Sequence, residues 1–375
     1  MLQISSGKLF QKSVGYRNNL RGVIYTNLKL ARDKRIKTDA GSLLSTSTAG
    51  TCNAIVYEME ELVESVGVED SPGVLVSHGI EPYINDFSVV LSFALNCTAS
   101  PSYAVADRLL GTQRGISTFS SPMEIVDRVF KKDIPCSEED CEYLVTFVQQ
   151  ILGLKRAVFL AVMKCLRTYV TGVQRVADDF ELSYILLVAS VESLASEFDG
   201  YEVSWGDYDE RKRKAVDEAL IGVDRKVSER VRRAIISNEH TSIGRRFRDF
   251  SISNLHPRYF REEAVGVLNP IGDADLSKAL SNAYKARSRY IHNLKTLPSQ
   301  LTRSSPYSDT CRVDNSTWLT LQGLARLARH VITNFIMQQT TINKEVYEYS
   351  LERSGITTLP LAPQYWLANT EGHSD

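Results

Sequence analysis

The stretch KARSRYIHN, residues 285–293, sets Arg287 and His292 apart by four residues. A guanidinium grips a phosphate through a planar fork of donors. An imidazole moves a proton near neutral pH. A fixed cation beside a base, with open space between them, suits phosphate chemistry. The ordinary alternative is a histidine that only answers the dipole at a helix end, and by composition that is the commoner case.

These residues need a helix to hold them. GDADLSKALSNAYKARSRYIHNL (272–294) carries Leu276, Leu280, Ala283, Ile291 and Leu294 on one stripe, flanked by Ala279, Tyr284 and Tyr290. That is helical periodicity. Arg287 lies on the same stripe, where a charge is costly unless paired. A partner stands upstream in LSYILLVASVESLASEF (182–198), an apolar segment expected to be a central buried helix. Its Glu192 falls four residues after Val188 and three before Ala195. Arg287 and Glu192 are therefore expected to meet across two packed helices; an arginine that snorkels from a helix edge is the alternative. His292 lies about 140° around the helix from Arg287. The two flank a groove that borders the polar face of Ser288 and Arg289. Arg289 and Lys285 either contact flanking phosphates or form a solvated face.

The rest of the chain sets the frame. Its 375 residues suffice for two domains, and 24% charged with 43% hydrophobic residues reads as soluble and globular. Residues 1–150 hold 14 Lys+Arg against 18 Asp+Glu, and the remainder 30 against 27, so any nucleic-acid contact is expected in the C-terminal part. Six cysteines are scattered without a Cys-x-x-Cys pair, which points to reduced thiols and no zinc site; Cys136 and Cys141 have no matching ligand pair nearby. No apolar run reaches the roughly 20 residues of a membrane span, and no signal peptide is visible at the N-terminus. The expected location is cytoplasmic, with no membrane partner.

Residues 1 to about 95 favour strands, in LRGVIYTNLKL, CNAIVYEMEEL and GVLVSHGI, punctuated by TDAGSLLSTSTAG and EDSPG. Helices are expected at 84–96, capped by Asn85 or Asp86, and at 121–132, capped by Ser121 before Pro122. From SEED (137–140), a capping box, the pattern turns helical. It continues through 154–174, a restart at DDFE capped by Asp178, two solvated helices, and a last helix at 315–339 after a loop over 296–311. The fold class is α+β: an N-terminal β-rich domain (1–136), a helical domain (137–345) and a tail (346–375).

RSRYIHN resembles the Arg-x4-6-His signature of HEPN domains, and YKARSRYIH matches, from Tyr284 to His292, the Tyr-x-x-Arg-Ser-x-x-x-His helix of the Apea-like branch. SVESL is similar to that branch's upstream segment at Glu192 and Leu194. The resemblance covers roughly residues 145–340. The spacing occurs once more, at Arg233 with His240, which reads as a solvated helix; Arg326 and His330, four positions apart, read as an exposed helix face.

The resemblance implies an all-α HEPN helical bundle that dimerises so that two motifs face each other. It implies a hydrolase: a metal-independent endoribonuclease, without cofactor, that leaves 2′,3′-cyclic phosphate and 5′-hydroxyl ends. His292 would act as general acid or base, Arg287 would stabilise the pentacoordinate phosphate, and Glu192 would position Arg287. Ser288, Arg289, Lys285 and Asn293 would contact RNA. The setting implied is a toxin of prokaryotic anti-phage defence or stress response, with a phage-derived or cellular trigger at the N-terminal domain. A non-catalytic HEPN module that dimerises and binds RNA or protein is the second expectation. A helical interaction protein with a structural Arg287–Glu192 pair is the third.

Overall fold

The structure, a computed structural model, describes residues 1–10, 13–65, 79–111, 126–200, 204–238, 243–302 and 308–346. An antiparallel sheet forms first and a helical region follows, an α+β arrangement. After a short helix α1 (Leu2–Ser5), the strands are β1 (Val14–Thr26), β2 (Leu28–Lys29), β3 (Arg35–Thr38), β4 (Gly41–Ala49), β5 (Cys52–Glu64) and β6 (Ala99–Ser100). The main sheet has the order β3-β4-β5-β1-β6. β1 and β5 run antiparallel over most of their length, with Ile24 opposite Ile55 and Gly22 opposite Tyr57. Alternation explains the two faces. Ile24, Ile55, Tyr57 and Met59 turn inward, while Arg17, Arg21, Glu58 and Glu60 form cross-strand ion pairs on the other side.

Helix α2 (Glu81–Leu95) covers the inner face, where Phe87 stacks on Tyr57 with ring centroids 4.5 Å apart. The expected cap at Asn85 or Asp86 is not there: the helix starts at Glu81, with Ile80 as N-cap and Pro82 in its first turn. Asp86 is instead buried inside the helix. It takes 2.6 Å contacts from the Met1 amino group and from Arg167. The segment 38–50, expected as punctuation, supplies a full strand. Its Leu43 faces inward opposite Tyr57 on β5, and only the Thr38–Gly41 turn behaves as punctuation. Most of the strand expected in GVLVSHGI, the EDSPG turn, the Ser121/Pro122 helix start and nearly all of the tail lie outside the described residues; of the 121–132 helix, Asp127–Phe130 is seen as helix.

In chain order the remaining helices are α3 (Tyr103–Leu110), α4 (Asp127–Phe130), α5 (Glu138–Gly153), α6 (Arg156–Arg175), α7 (Phe180–Phe198), α8 (Glu210–Ala219), α9 (Arg225–Asn238), α10 (Ile243–Ser253), α11 (Arg258–Arg261), α12 (Asp273–Asn293), α13 (Ser299–Thr302) and α14 (Leu321–Gln338). A two-residue strand, β7 (Ile134–Pro135), pairs in parallel with β2 just before α5. The capping box at α5 is formed as expected, with Ser137 and Asp140 bonding each other's backbone. At α7 the cap is Asp179, which accepts from the Leu182 N–H at 2.9 Å; Asp178 pairs with Arg175 and Arg108 instead.

The last helix is shorter than expected. Residues 316–319 form strand β9 (Ser316–Leu319), paired with β8 (Thr310–Val313), and α14 begins only after Thr320 caps it. The turn is Asp314-Asn315, both at positive φ (47° and 56°), which is the two-residue hairpin geometry that matches strand twist. α7 is central, packed against α6, α10, α12 and α14. One buried cluster includes both sheet and helix residues, from Leu2 to Ile336. No described helix is long and apolar enough to cross a membrane.

Candidate functional site

Helix α7 is buried on most sides: Leu187, Val188, Val191, Leu194 and Ala195 are enclosed, and Glu192 sits among them. Helix α12 buries Leu276, Ala279, Leu280, Ala283 and Ala286 and packs against it, α10 and β9. The two run antiparallel, because Arg287 meets Glu192 while the Leu297 N–H, past the end of α12, donates to Glu181 Oε1 at 2.9 Å near the start of α7. The Arg287 Nε lies 3.0 Å from Glu192 Oε2, with side chains 21% and 11% exposed. Nε and Oε2 do not meet hydrogen-bond geometry with each other, so this contact is a charge pair rather than an aligned N–H···O bond. A partly buried guanidinium on the core stripe is thus compensated by a carboxylate on the facing helix.

Tyr284 flanks the pair. Burial pushes its phenol pKa up and the Glu192 carboxylate adds to that, with Arg287 acting the other way. Its ring lies against α10: a Cβ on Gly244 would come within 2.6 Å of it, so the helices approach this closely only because position 244 has no side chain. From the far side, Asn282 donates to Thr317 O and Ser316 Oγ, both at 2.9 Å, and ties α12 to the β8–β9 hairpin. The hairpin, α10 and α7 together fix the axis on which Arg287 stands.

The buried stripe ends at Ala286. Ile291 and Leu294, expected on the core stripe, are 50% and 78% exposed. Periodicity shows which residues share a face, and the facing core ends before that face does. Leu294 terminates α12 in the left-handed region at φ 49°; its N–H returns to Tyr290 O at 2.8 Å and that of Lys295 to Arg289 O at 3.3 Å. This closure leaves His292 exposed in the last turn, where the helix dipole favours a cation. Among the described residues its imidazole has no hydrogen-bond partner. Along the axis it stands about 7.5 Å beyond Arg287.

Of the other expected contacts, Ser288 is half-buried and Lys285, Arg289 and Asn293 are exposed. Tyr290, expected only as a flanking residue, faces the start of α7. Its pKa is raised, first by burial and then by the Asp179 and Glu181 carboxylates. One side of the motif is therefore acidic, a feature that short-range spacing does not reveal because these carboxylates are over 100 positions away.

The other two arginine–histidine pairs separate cleanly. His240 lies outside the described residues, and Arg233 is exposed on α9. Arg326 and His330, expected on an exposed helix face, are instead largely buried. Arg326 makes a paired contact with the fully buried Asp309, donates to Tyr259 O at 3.0 Å and stacks over the Tyr259 ring at 3.9 Å. Burial opposes its charge, but the Asp309 bonds hold its pKa above the ordinary value. His330 Nε2 accepts from the His256 N–H at 3.1 Å, which leaves the proton on Nδ1 to donate to Glu263 at 2.9 Å. Both groups are consumed by structural bonds. In comparisons with protein-family models, curated proteins and solved structures, nothing matches this chain.

Proposed function

We propose that the chain is an endoribonuclease in which His292 and Arg287 act on the scissile phosphate. The observation that carries the reading is the Arg287–Glu192 pair, 3.0 Å apart, on the helix that also exposes His292 one and a half turns later. A guanidinium held by a carboxylate keeps one orientation, as stabilisation of a pentacoordinate phosphate requires. An exposed imidazole, with no bond to another described residue, takes the 2′-hydroxyl proton or returns one to the leaving oxygen. Attack by the 2′-oxygen forms the 2′,3′-cyclic phosphate and expels the 5′-oxygen, which leaves protonated. Lys285 and Arg289 face solvent on the side of the helix that carries His292, turned away from Arg287, and suit phosphates flanking the cut; Ser288 and Asn293 offer neutral contacts. The resemblance to Apea-like HEPN domains points to the same roles without a metal, and it suggests a cytoplasmic anti-phage or stress setting with a trigger at the sheet region.

Exposed Ile291 and Leu294 beside His292 favour a second element of this reading: a second copy of the chain covers them and brings a second histidine to the site. The same surface suits the alternative, a module that dimerises and binds RNA without cutting it. Labelled RNA incubated in EDTA separates the two. Cutting predicts metal-resistant products with a cyclic phosphate on one end and a 5′-hydroxyl on the other, absent from His292→Ala and Arg287→Ala. Products with 5′-phosphate ends, or equal cleavage by the variants, contradict it.

A further inference from the structure

A pair of thiols stands apart from this site. Cys136 Sγ and Cys141 Sγ lie 3.6 Å from each other at the start of α5. Counted from the Ser137 cap, they occupy the positions just before the cap and in the fourth place of the helix, which in many helices hold an apolar pair that fixes the entry of the chain. Here both members of that staple can be oxidised.

The surrounding backbone is held on both sides. The Cys136 N–H donates to Lys29 O at 3.1 Å, and the Cys141 N–H donates to Ser137 O at 3.2 Å. Between them the capping box is closed, and Arg128 holds Asp140 at 2.8 Å. A disulfide needs the sulfurs to approach by only about 1.5 Å. Access exists as well. Cys136 is partly exposed, and Cys141, though buried, borders a cavity of about 340 Å³ lined by Lys34, Ile36, Lys37, Glu138 and Val145. The Lys34 ammonium, 2.6 Å from Glu138, also lies beside the Cys141 thiol. The other cysteines lack such a neighbour: among the described residues no second thiol contact of this kind exists.

We propose that Cys136 and Cys141 are an oxidisable dithiol, which a small disulfide such as oxidised glutathione converts into an intrachain disulfide that staples β7 to α5. In the first step one protein thiolate attacks a glutathione sulfur; a protein–glutathione S–S bond forms, the glutathione S–S bond breaks, and one glutathione leaves as its thiol. In the second, the neighbouring protein thiolate attacks the protein sulfur of that mixed disulfide and expels the second glutathione. Two protein thiols are oxidised and one glutathione disulfide is reduced to two thiols, which carry away both protons. Burial, the adjacent Cys141 sulfur and Asp140 push the Cys136 thiol up to about 12, against the pull of Lys34, so the exchange speeds up in mildly alkaline buffer.

The full chain is incubated with oxidised glutathione at pH 8, quenched with acid, and alkylated after denaturation. The expected product has two fewer alkylatable thiols of its six, carries no glutathione, and yields on digestion a peptide pair or loop joining Cys136 to Cys141. Cys136→Ser and Cys141→Ser, checked for an unchanged circular-dichroism spectrum, never show that loss of two. A wild-type chain that keeps all six thiols, one that stops at a glutathione adduct, or one whose lost pair maps to other cysteines would each overturn the proposal.

Discussion

Arg287 and Glu192 form a charge pair that two helices share, and the pair's value is measurable at the residue scale. Glu192→Gln, Arg287→Met and the double variant should show a coupling free energy of about 1–3 kcal/mol in urea unfolding, since both groups are largely withdrawn from water. Additive effects would mean that the charges do not act on each other. The pair was legible in the sequence because each residue interrupts an apolar stripe and each interruption needs the other. The Arg326 and His330 partners were not legible: Asp309 and Glu263 lie on connecting segments, and periodicity shows only that a helix position faces inward, not which loop meets it. Glu263 supplies a pH test. Burial alone would raise its pKa, but the His330 hydrogen bond and nearby guanidiniums hold it below the ordinary value of 4.5. A carboxyl with a depressed folded pKa contributes stability above pH about 4.5 and loses it as pH falls through the depressed value. The stability advantage of wild type over Glu263→Gln should therefore be full at pH 6 and shrink steadily below pH 4.5. A difference that stays constant down to pH 3 would contradict it.

At the scale of elements, the site depends on how closely α10 lets α12 approach. Gly244→Ala sets a methyl group 2.6 Å from the rigid Tyr284 ring, so α10 and α12 must separate. The expected cost is about 1–3 kcal/mol of stability, with loss of activity at permissive temperature as Tyr284 and Arg287 shift together. Unchanged stability would show that the contact is loose. Leu294 gives the opposite sign. A leucine at φ 49° pays for a left-handed backbone that glycine adopts freely, so Leu294→Gly should stabilise the isolated chain by about 1 kcal/mol, read as a higher midpoint in thermal unfolding. Element types were mostly legible, and the errors have local causes. The α7 cap moved by one residue because two adjacent aspartates offer the same chemistry. β9 looks helical in sequence because its apolar residues, Trp318 and Leu319, run straight into those of α14, and the Asp314-Asn315 turn that joins it to β8 is only two residues long. β4 looks like punctuation in sequence because Ser and Thr dominate it; Leu43, its buried apolar residue, carries the strand signal.

For the whole molecule, the sheet region and the helical region share buried contacts, with Asp86 of α2 held by Arg167 of α6. The active unit proposed is larger than one chain. If a second copy covers Ile291 and Leu294, sedimentation of the wild type gives twice the chain mass, and Ile291→Asp with Leu294→Asp gives the monomer without loss of helix; a monomeric wild type contradicts that arrangement. The resemblance that suggests RNA cleavage rests on the segment from Tyr284 to His292 and on Glu192, and the proposed site is built from them. The direct test of that site is the single-turnover rate of RNA cleavage in EDTA by wild type, His292→Ala and Glu192→Gln, each purified identically. The account predicts a fall of about 10²–10⁴-fold for His292→Ala, which removes the proton-transferring group, and a smaller one for Glu192→Gln, which only loosens Arg287. Rates that are equal in all three proteins would contradict it.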